Sequence, residues 1–266
     1  MSEELMIRRV TLFRYAHKAG TALGLFKEAV QHPELREPFR YRVIEGLIQL
    51  VYPKFMISDY GRVWLNDDTF HSYYLSHDDG GNMRTAERKF LLMNLLKLID
   101  DVPGDTAECG VWMGASSYLI CEYIASRRSA DRRHHAFDSF AGLPRPARID
   151  GSYWHEGDLR TSESVARRHL AAFPFADFHV GWIPDTFVGL DQLRFAFVHI
   201  DVDLYKPTLD SLTYFYPRMN PGGILLFDDY AFVTCPGAMR ACEEFMADKM
   251  ERIVHCPTGQ GFVVKR

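Results

Sequence analysis

The sequence predicts an α/β protein built on a mostly parallel sheet, closed by an antiparallel hairpin near the C-terminus. After about residue 105, short apolar runs alternate with longer amphipathic ones, and strands spaced by helices imply crossover connections and parallel pairing. Two further apolar runs flank the turn Pro257-Thr258-Gly259, a connection short enough only for an antiparallel pair. The 266 residues are 47% hydrophobic and 25% charged, an ordinary globular composition with enough apolar content for one sizeable core.

From residue 3 to about 53, apolar residues recur every three or four positions (Leu5, Val10, Phe13, Ala16, then Leu23, Phe26, Val30), and Pro33 and Pro38 split the stretch into two helices. Residues 54–82 mix Tyr60, Trp64, Phe70, Tyr73 and Tyr74 with Asp67-Asp68, Asp78-Asp79 and Gly80-Gly81, which reads as an aromatic-rich loop of the kind that covers sites. A helix is predicted over 85–101, stopped by Pro103-Gly104. Strands follow at 106–111, 134–137, 177–181, 195–200, 223–227, 252–256 and 262–265, with helices at 116–128, 162–172, 207–217 and 237–250. The chain therefore divides into an N-terminal helical and lid region, 1–82, and a sheet domain, 83–266.

Charge and cysteine content exclude several roles. With 31 Lys+Arg against 35 Asp+Glu, the net charge of -4 offers no field for a phosphate backbone, so no nucleic-acid partner is expected. Uncharged stretches fall short of the ~18 to 20 residues of a bilayer span, and Met1-Ser2-Glu3-Glu4 is acidic where a leader would be basic. A cytoplasmic protein without a membrane partner is expected. Cys109, Cys121, Cys235, Cys242 and Cys256 include no CxxC pair and read as free, buried thiols. Arg127-Arg128 and Arg132-Arg133 read as a solvated turn after a helix.

Ligands of open parallel sheets lie beyond the carboxyl ends of the strands. The first strand ends in Glu108-Cys109-Gly110-Val111-Trp112-Met113-Gly114, with Ala115-Ser116-Ser117 at a helix start. Glycines four apart permit a sharp turn and a close backbone approach. The dinucleotide fingerprint G-x-G-x-x-G is absent, and the E-x-G-x-x-x-G present suits an ammonium or hydroxyls better than a diphosphate. Asp138 ends the second strand, where a carboxylate can accept both ribose hydroxyls. A nucleoside with a cationic, phosphate-free tail is implied, and S-adenosyl-L-methionine fits.

Asp201-Val202-Asp203 closes the fourth strand and Asp228-Asp229 the fifth. Neighbouring carboxylates repel one another unless a cation neutralises them, and oxygen ligands favour Mg²⁺, with Mn²⁺ or Ca²⁺ as alternatives. The competing reading is helix capping, with Asp203 the N-cap candidate; it leaves the adjacent pair unexplained. A divalent ion acidifies a hydroxyl that binds it, and Asp203, two residues past Asp201, would take the proton. His71, His77 and His155 lie in loops and read as solvated; His199, set back in its strand, reads as a satisfied core histidine.

These residues resemble the Mg²⁺-dependent sugar O-methyltransferases of antibiotic biosynthesis, the macrocin, mycinamicin and novobiocin-type enzymes. The matching stretches are Val102-Pro103-Gly104-Asp105-Thr106-Ala107-Glu108-Cys109-Gly110-Val111, Phe137-Asp138-Ser139-Phe140-Ala141-Gly142-Leu143-Pro144, Gly181-Trp182-Ile183-Pro184-Asp185-Thr186, His199-Ile200-Asp201-Val202-Asp203-Leu204-Tyr205, and Pro221-Gly222-Gly223 leading to Asp228-Asp229-Tyr230. The resemblance implies a class I, Rossmann-like methyltransferase fold with a mostly parallel seven-stranded sheet and N-terminal helical additions. It implies that Asp201, Asp228 and Asp229 hold the metal, that Asp203 is the catalytic base, and that Glu108, Gly110, Gly114, Ser116, Ser117, Asp138 and Ser139 contact S-adenosylmethionine. It also implies a small-molecule glycoside acceptor and a homo-oligomer. Met113-Gly114-Ala115 departs from the family's arginine or second glycine, and Val202 from its frequent glycine. Tyr153, Trp154 and the aromatics of 60–74 could stack on a sugar or an aromatic aglycone, although core or lid packing is the simpler reading. A metal-dependent methyltransferase of a catechol-like phenol shares both sites, so a phenolic acceptor stays open. A metal-dependent glycosyltransferase and a non-catalytic binding subunit are the remaining rivals.

Overall fold

In a computed structural model of the chain, the described residues are 44–52, 67–77, 86–127 and 131–266. The expected helices before Pro53 lie outside them, save for one helical turn at 44–48. The chain separates into a unit 1–67 and a compact unit beginning at Asp68. Within the second unit, α1 spans Asp68–His77, α2 Ala86–Leu96, α3 Ala115–Ser126, α4 Glu163–His169, α5 Tyr205–Phe215 and α6 Pro236–Met246. The strands are β1 Asp105–Cys109, β2 His134–Asp138, β3 Ala176–Val180, β4 Phe195–Ile200, β5 Met219–Phe227, β6 Val254–His255 and β7 Gly261–Val264.

The seven strands lie in the order β3-β2-β1-β4-β5-β7-β6. The first five are parallel, and β7 pairs antiparallel with both β5 and β6. The closing hairpin thus forms the edge, with β7 one strand inside it. All of β4 is buried, as are the last five residues of β5, which is why both read as apolar runs without alternation. Phe137, Phe195 and Phe215 pack edge-on, with ring centroids 4.9 to 5.8 Å apart, and join Phe227, Leu212 and Val263 in one core.

Two elements differ from the sequence reading. Strand β5 begins at Met219, four residues early, because register slips between Phe195 and Phe197 and lets Pro221 sit in the irregular stretch before regular pairing at Ile224. Residues 68–77, read as loop, form α1. Its apolar side chains are few, and rings hold it: Tyr73 stacks on Tyr118 at 5.5 Å and donates to the Ala115 carbonyl at 2.5 Å, while Phe70 meets Phe90 edge-on.

The tips of β1 and β4 approach more closely than a side chain permits. Gly110 has φ +86°, and a Cβ there would lie 1.7 Å from the Asp201 carbonyl oxygen. Gly110→Ala is expected to destabilise the protein by about 3 kcal/mol or more through strain and steric overlap, read from urea unfolding; a loss below about 1 kcal/mol would contradict this geometry.

Candidate active site

A cavity of about 560 Å³ opens beyond the carboxyl ends of the parallel strands, within the roughly 300 to 1,000 Å³ of small-molecule sites. Glu108, Gly110, Ser116, Asp138, Ser139, Asp201, Asp203 and Asp229 line it; Gly114, Ser117 and Asp228 stand outside the lining. Trp112, Leu159 and Asp203 line it with positive φ (47°, 61° and 58°), the kind of local strain that persists where surrounding structure fixes a functional loop.

Asp138 organises one half. Its Oδ2 accepts from the backbone N–H groups of Val111 and Trp112 at 2.8 and 2.7 Å, and its Oδ1 from Phe140 N–H at 2.6 Å. Three of the roughly four acceptor positions of a carboxylate are thus committed to the glycine-containing loop, and one remains for a ligand hydroxyl. Burial, against these three hydrogen bonds, raises its pKa. Ser139 Oγ accepts from Ala141 N–H at 3.1 Å. Gly114, at the start of α3, faces Ala166 of α4. Ser117, wholly buried, donates to Glu108 Oε2 and lies 3.0 Å from His134 Nε2. Lys89 of α2 reaches Ser116 Oγ on the cavity wall.

The acids form the other half. His199 is fully buried between them, with Nδ1 2.9 Å from Glu108 Oε1 and Nε2 3.0 Å from Asp228 Oδ1. Donation to both carboxylates requires the imidazolium; although burial opposes its charge, the bonds to Asp228 and Glu108 raise its pKa to about 9. Asp228 also accepts from Gln260 Nε2 at 2.6 Å and pairs with Arg88. Despite burial, Arg88 and His199 therefore hold its carboxyl far below the ordinary range. Burial and His199 act likewise on Glu108, with a net lowering.

The other three aspartates are poorly compensated. Asp229 Oδ2 accepts from Asp203 N–H at 2.9 Å, Asp203 Oδ1 has the Cys235 thiol at 3.5 Å, and no hydrogen bond reaches the Asp201 carboxylate among the described residues. Burial, then the Asp228 charge, raises Asp201 to about 6; burial, then the Asp201 charge, raises Asp203 to about 7; Asp229 is raised well above the carboxylate range by burial and all three neighbours. Oxygen donors with unspent acceptor capacity, facing a cavity and repelling one another, fit a hard divalent cation. Carboxylate oxygens of Asp201 and Asp228 lie within 4.8 Å of one another, beside the His199 ring whose nitrogens are spent as donors, and ligating atoms of Asp203, Asp229 and Cys235 lie equally close.

Helix capping does not explain Asp203: Leu204 precedes α5, and Asp150 Oδ1 accepts from Tyr205 N–H at 2.6 Å. His199 is the satisfied core histidine that its place in the strand suggested, yet its partners are two site carboxylates. His77 lines the cavity, whereas His155 is exposed beside Asp158; the side chain of His71 lies outside the description. Trp154 lines the cavity and donates to Cys235 Sγ at 3.3 Å, and Phe70 and Tyr73 are buried. Arg132 binds the carbonyls of Ile99 and Val102, and Arg133 pairs with Asp177, so both hold loops. The five cysteines are free and buried. Arg88, Lys89 and Gln260 escaped the sequence reading, because an amphipathic helix and a hairpin tip carry no local mark of a site.

The strand order, with its antiparallel β7, and the cavity at the strand ends define a class I methyltransferase fold. The solved O-methyltransferase NovP shares it, with a TM-score of 0.58, 26% identity, and coverage of 68% of this chain and 80% of that one. So does the calicheamicin methyltransferase CalS11, with a TM-score of 0.61, 19% identity, and coverage of 76% and 89%. The pattern of the macrocin-O-methyltransferase (TylF) family matches residues 81–255, and the chain belongs to that family. It is 34% identical over 156 residues to 8-demethyl-8-(2,3-dimethoxy-alpha-L-rhamnosyl)-tetracenomycin-C 4'-O-methyltransferase of Streptomyces olivaceus, covering 53% of this chain and 59% of that protein. To mycinamicin III 3''-O-methyltransferase of Micromonospora griseorubida it is 33% identical over 155 residues, covering 53% and 61%. The chain thus spans about six tenths of the length of these relatives. Among the described residues, no helix is long and apolar enough to cross a membrane.

The buried charges set a pH dependence for the metal-free protein. The folded state keeps the His199 proton to about pH 9, whereas an unfolded histidine loses it near about 6.5; its contribution is full below that lower value and lost as pH rises through 9. The raised Asp201 and Asp203 act in the same direction, their contribution present at low pH and lost as pH rises through about 6 and about 7; Asp229, also raised, adds to it with the same sign. In chelator, the melting temperature is therefore expected to fall between about pH 5.5 and about pH 9.5. Scanning calorimetry checks this, and a rise over that range would contradict the assignment.

Proposed function

We propose that the protein is an S-adenosylmethionine- and divalent-cation-dependent O-methyltransferase acting on a hydroxyl of a sugar, most naturally a deoxysugar, in a natural-product glycoside. One observation carries the proposal: the Asp138 loop and the under-compensated Asp201, Asp203 and Asp229 open into one cavity, so donor and acceptor oxygen can meet there. Family membership supports methyl transfer over the glycosyltransferase and binding-subunit readings. The sugar is supported by relatives whose names give a rhamnosyl tetracenomycin and mycinamicin III as substrates.

When bound, S-adenosylmethionine supplies an electrophilic methyl for in-line displacement by a hydroxyl oxygen. Asp138 accepts a ribose hydroxyl at its remaining acceptor position and holds the loop from Gly110 to Trp112 against the nucleoside. Asp201, Asp228 and Asp229 would hold the cation, Mg²⁺ first, whose chemistry is Lewis acidity that lowers the pKa of the acceptor hydroxyl. Asp203 takes the hydroxyl proton; its positive φ and the bond from its N–H to Asp229 fix the residue at the cavity wall. Trp154, Leu159 and Phe232 line the same space and exclude water from the reacting atoms.

Calorimetric titration of S-adenosylhomocysteine is expected to give micromolar binding that Asp138→Ala weakens at least tenfold, about 1.4 kcal/mol. Asp203→Asn is expected to lower kcat by about 10² to 10⁴ with little change in that binding. Absence of S-adenosylhomocysteine binding with and without Mg²⁺ would sink the proposal. Turnover of catechols in preference to glycosides would move the acceptor to the phenolic class.

A further inference from the structure

We propose that Arg88 is the resident cation on Asp228 Oδ2 and that a divalent ion reaches that oxygen only by displacing it; this deepens the reading above and rests on its metal site. Both donors on Asp228 Oδ1, His199 and Gln260, come from within the fold. Oδ2 is the oxygen left for an ion, and Arg88 holds it. Arg88 lines the cavity whereas Asp228 is wholly buried outside the lining, so the guanidinium covers Oδ2 on the cavity side.

The hold on Arg88 is electrostatically strong but incompletely hydrogen-bonded. Among the described residues its buried Nε has no hydrogen-bond partner, and its guanidinium lies 4.8 Å over the Phe232 ring, another cavity residue. A buried donor left unmade is a standing cost, recovered when the side chain moves to solvent or to a ligand. Arginine stays charged at any accessible pH, so it vacates Oδ2 by rotating rather than by losing a proton. Arg88, Lys89 and the His199 imidazolium are three positive charges set against Glu108, Asp201, Asp203, Asp228 and Asp229, so the cluster stays in deficit, and a dication beside a retained guanidinium would be repelled by it. The two cations are therefore alternatives. The protein keeps a partly neutralised resting form when metal is scarce, and Arg88 sets the metal concentration at which the cluster changes partner.

The test uses Mn²⁺ alone, titrated into chelator-treated full-length protein and followed by the electron paramagnetic resonance of free Mn²⁺. Arg88→Met, which keeps an apolar stem against Phe232, is expected to bind at least tenfold more tightly than wild type, and Arg88→Lys, which keeps the charge without the fork, to fall between. Affinities within twofold of each other, or weaker binding by Arg88→Met, overturn displacement while leaving the metal site standing. Absence of Mn²⁺ binding by wild type and variants alike overturns both. Should Arg88→Met fold poorly, the wild-type protein gives an independent readout: the Arg88 Nε–H resonance is expected to shift on saturation with Mg²⁺, and an unmoved resonance overturns the proposal.

Discussion

Glu108, Asp201, Asp203, Asp228 and Asp229 stand at the ends of three adjacent strands, β1, β4 and β5, and burying that much like charge constrains everything around it. The fold meets the constraint unequally. Glu108 and Asp228 share the His199 imidazolium, with Ser117, Gln260 and Arg88 adding donors, and both are stabilised as anions. Asp201, Asp203 and Asp229 receive little and have raised pKa values. Removing His199 would leave two buried carboxylates facing one another; breaking a buried ion pair by deleting one partner costs about 3 to 5 kcal/mol. The imbalance separates Glu108 and Asp228, whose charge the protein's own donors balance, from Asp201, Asp203 and Asp229, whose charge they do not.

That separation gives Asp138 and Glu108 roles different from those their strand-end positions suggest. Asp138 spends three acceptor positions on loop backbone, so it shapes the ligand surface before any ribose arrives. Glu108 is committed on one side to Ser117 and on the other to His199. Through His199 the strand behind the glycine loop and the strand bearing the acid pair share one rigid hydrogen-bonded chain, which limits how far the two halves can shift apart.

Much of this was legible in the residue order. The helix-strand alternation, the antiparallel hairpin and the strand-end acids are local patterns, and each sits where the pattern put it. Helix α1 was hidden because ring contacts with Tyr118 and Phe90 hold it, and rings met at long range leave no 3.6-residue period. Arg88 was hidden in the same way: position 88 of an amphipathic helix meets position 228 only through the crossover geometry of the sheet. Ser117 shows the converse failure. Its place at a helix start fits a ligand contact, but the turn of the helix directs its hydroxyl inward, to Glu108 and His134.

The placement of β7 has one more consequence. Gln260, just before that strand, donates to Asp228, which lies 32 residues earlier. During synthesis β5 and its terminal acids leave the ribosome well before the hairpin that completes their surroundings. Until then Asp228 lacks its Gln260 donor and the β5 edge lacks its antiparallel neighbour. The nascent domain thus carries an open sheet edge next to an acid that lacks one of its partners, and the site is complete only once the closing hairpin has docked.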